Sequence, residues 1–131
     1  MNLTISTITV DCSDAGALAQ FWAGALGWDV APGASAGFAA VGGPRRPADT
    51  PSLVFARVPE PKGTKNRWHL DLDTVDPEAA VPHLESLGAS VLRRVSEDGA
   101  SWIVLADPEA NEFCVALPHL LTDDTDAPPS P

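Results

Sequence analysis

The chain repeats itself, and the repeat limits what it can fold into. At an offset of 62 positions Thr7, Asp11 and Asp14 fall on His69, Asp73 and Asp76. At an offset of 61, Leu26-Gly27-Trp28-Asp29-Val30 falls on Leu87-Gly88-Ala89-Ser90-Val91. A period of this length within 131 residues means two copies of one supersecondary unit.

Each copy opens on an alternating stretch. Over residues 3–12, Ile8, Val10 and Cys12 share one face, and Thr7, Thr9 and Asp11 the other. Over residues 67–76, Trp68, Leu70 and Leu72 point one way, and Arg67, His69, Asp71 and Asp73 the other. Period-two alternation is the pattern of a strand with one buried face. A helix follows each strand. Ser13 and Asp14 can cap the first, whose stripe is Leu18, Phe21, Trp22, Ala25 and Leu26, with Gly27 at its end. Asp76-Pro77-Glu78 opens the second; Val81, Leu84 and Leu87 are its stripe, and Gly88 its stop. Pro82 lies inside that segment, so the helix is expected to be short, kinked or late to start. Short strands come next, at about 27–31, 36–42 and 52–58 in the first copy and 89–95, 100–106 and 112–117 in the second. Pro59–Lys65 links the copies.

The sequence therefore predicts an α+β chain of two βαβββ units, about 3–58 and 66–117, within one domain at 1–118. Each helix covers one side of its sheet, and the opposite faces are left to enclose a cleft. Residues 119–131 read as an acidic, proline-rich disordered tail.

Composition removes some functions. Eighteen acids against eight bases give a net charge of −10, which argues against nucleic acid and is compatible with a cationic small ligand, or with nothing beyond solubility. No apolar run is long enough to span a membrane, and no basic-then-apolar leader opens the chain. Cys12 and Cys114 do not form a disulfide framework, so a reduced, cytoplasmic setting is expected.

The paired βαβββ pattern, Phe21-Trp22 with Leu26-Gly27-Trp28, the His69-Leu-Asp-Leu strand running to Asp76, and Ala106-Asp107-Pro108-Glu109-Ala110-Asn111-Glu112-Phe113 together resemble the vicinal oxygen chelate superfamily. That superfamily includes glyoxalase I, bleomycin-resistance and fosfomycin-resistance proteins and extradiol dioxygenases; the likeness is greatest to its glyoxalase-like domain subgroup. Ala110 stands where the family's turn usually carries glycine. The resemblance implies a divalent metal held by one ligand from the first and one from the last strand of each unit. Those positions fall on Thr7, on a segment 53–57 with no carboxylate, on His69 and on Cys114. Only His69 and Cys114 are candidate metal ligands, too few for a catalytic site. No cofactor is therefore expected, with a divalent metal kept as the alternative.

Residue roles stay paired with their structural alternatives. His69 is a candidate general base or pocket hydrogen-bonder, or a satisfied core histidine. Asp71 and Asp73 hold a ligand cation, or pair with Arg67 and Arg57. Thr7 and Phe55 are candidate ligand contacts; Arg57 meets an anionic group or forms a rim salt bridge. Trp102 stacks on a ligand or packs in the core. Cys114 is a nucleophile beside His69, or a small core residue. Trp22, Trp28 and Trp68 are assigned to the core. The expected function is a metal-independent small-molecule-binding protein of the bleomycin-resistance kind, working as a homodimer. The alternative is a lyase, isomerase or dioxygenase using a metal or His69.

Overall fold

A computed structural model describes residues 2–118; the expected tail lies outside the described residues. The order of elements is β1 (Thr7–Cys12), α1 (Ala15–Leu26), β2 (Asp29–Val30), β3 (Phe38–Gly42) and β4 (Ser52–Arg57), then β5 (Leu70–Asp73), α2 (Pro77–Leu87), β6 (Ser90–Glu97), β7 (Ala100–Ala106) and β8 (Glu112–Ala116). Contacts divide the chain into two compact units between Thr64 and Lys65. Each unit is βαβββ, as the repeat predicts.

The first unit's sheet runs β1-β4-β3-β2 and the second's β5-β8-β7-β6. In both, the first strand pairs parallel with the last, and the other pairings are antiparallel. A strand that returns beside its parallel partner needs a crossover, and the helix supplies it.

Both helices start at the predicted caps. Asp14 accepts the Ala17 N–H at 3.1 Å and Asp76 accepts the Ala79 N–H at 3.1 Å. The first buries Leu18, Phe21 and Trp22, with the Phe21 and Trp22 rings edge to face at 5.2 Å. It packs on β3 and β4, where Ala39, Val41, Leu53 and Phe55 are buried.

Of the outcomes expected for α2, the late start is corrected. The helix begins at Pro77 and runs through Pro82 to Leu87. Pro82 stands in the middle of the helix, where its missing N–H leaves the Glu78 carbonyl without its helical donor, and the helix continues past it. The opening strand of the second unit is also shorter than its alternation. It starts at Leu70, and Trp68, assigned to the core by its phase, is 87% exposed.

Candidate functional site

The second unit gathers the reactive side chains. In its sheet Asp71 lies opposite Cys114 and Asp73 opposite Ala116, while Cys114 lies opposite Val104 and Ala116 opposite Trp102. Neighbours in register point to the same side, so Asp71, Asp73, Cys114 and Trp102 share one face. The register shift at Leu92 returns Arg93 to that face, opposite Val104. Glu78 of α2 holds Arg94, which points to the other face, so the helix covers the side away from these residues.

His69 precedes β5 and reaches the same group. Its Nε2 stands 3.4 Å from an Asp71 carboxylate oxygen, with side chains 27% and 48% exposed. The ligand atoms of His69, Asp71 and Cys114 all lie within 4.8 Å of one another. Position-by-position reading found only two candidate ligands; the third, Asp71, comes from the same strand as the family's histidine position. Nitrogen, carboxylate and sulfur suit a borderline ion such as zinc. The spacing is wide for one, because tetrahedral bonds to zinc set donors about 3.3–3.8 Å apart. The three residues that would hold a divalent ion are thus present but need to draw together around it.

Cys114 is not an activated nucleophile here. Burial, the neighbouring Asp71 charge and a hydrogen bond to that carboxylate push its thiol from 9.0 up to about 12. It is a neutral donor at physiological pH, and it sits with Trp102 and Val104 in a buried cluster. The indole Nε1 of Trp102 is buried with no hydrogen-bond partner among the described residues.

Between these groups lies a cavity of about 330 Å³ lined by Asp71, Asp73, Ser101, Trp102, Cys114 and Ala116. Its charge is negative. At the far end of the face, Glu112 takes Lys65 at 2.8 Å and Arg93 at 3.9 Å. These two cations are engaged by Glu112, and the ion pair that Asp71 makes among the described residues is to His69. Within the second unit, the expected pairing of Asp71 and Asp73 with Arg67 is therefore not what the structure holds.

The candidates of the first unit are placed differently. Thr7 is exposed at the start of β1 and opposite Ser52. Phe55 has no exposed surface and packs under α1, so it offers a ligand nothing as it stands. Arg57 ends β4, exposed, with its guanidinium beside Gly37. Sequence reasoning missed Asp71 as a metal-site partner and Ser101 and Ala116 as cavity walls. The parallel pairing of first and last strands is the signal that would have placed them together.

Two mixed four-stranded sheets, each with one helix, define the glyoxalase/bleomycin-resistance class of fold. The chain belongs to the glyoxalase-like domain family, whose model matches residues 7–116. It is similar to a glyoxalase/bleomycin resistance protein/dioxygenase family enzyme from Burkholderia phytofirmans, 22% identical over 86% of this chain and 97% of that one, with a TM-score of 0.66. A glyoxalase-related enzyme from Fulvimarina pelagi is 15% identical over 95% and 96%, with a TM-score of 0.68. A fosfomycin resistance protein from Mesorhizobium loti is 12% identical over 92% and 96%, with a TM-score of 0.67. At these identities the likeness is one of fold. No curated protein matches the chain at a significant level.

Proposed function

We propose that this protein binds a small cationic organic molecule on the acidic face of its second unit. The observation that carries the reading is the cavity of about 330 Å³ whose walls include Asp71 and Asp73 on one side and Trp102 on the other. Carboxylates without a lysine or arginine partner attract an amine, and an indole face adds cation–π attraction. The volume is at the lower end of small-molecule pockets. Thermal-shift screening followed by calorimetry tests the reading, with arylalkylamines, protonated at neutral pH, and cationic glycopeptides set against neutral analogues. Tighter binding of the cations than of their neutral analogues, weakened in Asp71→Asn, is the expected result; a broad panel without a cationic binder would remove the reading's support.

A second reading rests on a specific observation, the convergence of His69, Asp71 and Cys114. In it these residues hold a divalent ion and the protein is a lyase, isomerase or dioxygenase of its superfamily, with His69 as the residue suited to move a proton. Elemental analysis of protein purified without chelator separates the two readings. A stoichiometric ion, lost in His69→Ala and Cys114→Ala, would replace the first with the second.

In this account the chain works in the cytoplasm as a two-fold homodimer with an interface on the order of 1,600 Å². Supporting the dimer are the exposed Leu3, Ile5, Phe38 and Trp68. Light scattering at micromolar concentration is expected to give twice the mass of one chain; the mass of a single chain would sink the dimer.

A further inference from the structure

The second unit's sheet has a cavity on its other side too, and that one is larger. It measures about 530 Å³ and lies where the first turn of α2 meets the end of β6 and the start of β7. Its sheet wall is Arg94, Ser96, Ser101 and Ile103, which alternate away from Trp102 and Val95. Ser101, Trp102 and Leu117 border both cavities, so the sheet itself divides them.

The polar groups that α2 and the outward-facing residues of β6 and β7 bring to this second cavity already have partners. Arg94 donates through Nε and a terminal nitrogen to both oxygens of Glu78, each at 2.9 Å. The Ser96 and Ser101 hydroxyls bond to each other at 2.7 Å. Asp76 caps α2, where the helix dipole favours its charge. What remains open is apolar. Val75 is 87% exposed and Leu117 59% exposed at the rim, and Ile103 is buried in the wall. A charged guest would compete with the Glu78–Arg94 pair and the Asp76 cap for its partners. A neutral one covers apolar surface without that cost.

We infer that this cavity is a second ligand site, for a neutral and largely apolar small molecule. The volume falls within the range of small-molecule pockets. The inference does not rest on the reading of the Asp71 face. The test titrates the full chain with the neutral fluorophore N-phenyl-1-naphthylamine. Saturable enhancement is expected. Ser96→Trp, which fills the cavity, and Val75→Asp, which puts a charge at its rim, are each expected to weaken the probe at least tenfold. Asp71→Asn, on the opposite face, is expected to leave it unchanged. Val75 is exposed, so its variant keeps the fold and decides the matter if Ser96→Trp does not fold. No saturable enhancement, equal binding by Val75→Asp, or loss of binding in Asp71→Asn would each overturn the inference. So would a Val75→Asp chain that binds the probe normally but scatters with half the wild-type mass, because a second copy would then cover this face.

Discussion

Asp71 touches more of the site's chemistry than any other residue described here. It stands beside His69, accepts from the Cys114 thiol and walls the cavity. Its charge is one reason the thiol is held up to about 12, after burial. Asp71→Asn is therefore expected to lower the Cys114 pKa toward the ordinary thiol range, with burial still holding it above. Alkylation by iodoacetamide near pH 9, followed at Cys114 by mass spectrometry, should be faster in the variant than in the wild type; an unchanged rate would contradict the coupling. The same shift sets a pH dependence. A thiol whose folded pKa lies above its unfolded value contributes stability that is whole below about pH 9 and is lost as pH rises toward 12. Chemical denaturation in that window should show a decline that Cys114→Ala lacks.

At the scale of elements, the turns decide what the alternating patterns leave open. Asp107 ties the turn before β8, accepting the N–H groups of Glu109 and Asn111 at 2.9 and 3.0 Å. That geometry places Ala110 at φ 69, a left-handed conformation that costs an L-residue about 1–2 kcal/mol. Ala110→Gly is expected to stabilise the protein by roughly 0.5–1 kcal/mol in urea denaturation, the strain relieved less the entropy glycine adds to the unfolded chain. The two helix-ending glycines make a matched pair. A Cβ at Gly27 meets nothing within 4 Å, whereas one at Gly88 would sit 3.1 Å from Pro108 Cγ, at a φ of 116. Gly27→Ala is expected to cost about 1 kcal/mol and Gly88→Ala clearly more, because a side-chain clash adds to the backbone term. Equal losses would show that the packing against Pro108 does not matter.

The elements were readable because their signals are local. Caps at Asp14 and Asp76 and stops at Gly27 and Gly88 lie within a few residues of what they punctuate. Trp68 and Asp71 were not readable, since each depends on something non-local. Trp68 continues the phase of Leu70 and Leu72, but the ladder to β8 begins only at Leu70, so nothing holds it to the sheet. Asp71 becomes a partner of Cys114 only through a parallel pairing across the crossover. Phe55 was misplaced for a related reason. Which face of β4 is covered depends on where α1 packs, and alternation alone does not say.

For the whole molecule, the duplicated unit gives two similar frames with different contents. The first carries Thr7 at the position where the second carries His69, and its candidate Phe55 is enclosed in the core. Chemistry is therefore concentrated in the second unit, on a face where Asp71 and Asp73 have no lysine or arginine partner among the described residues. The proposed function requires that those carboxylates recognise a cation. Calorimetric titration of the tightest arylalkylammonium ligand from the screen, into the wild type and into the Asp71→Asn/Asp73→Asn double variant, tests it. A loss of at least tenfold in affinity, about 1.4 kcal/mol, is expected in the folded double variant. Equal affinity in the two proteins would contradict it.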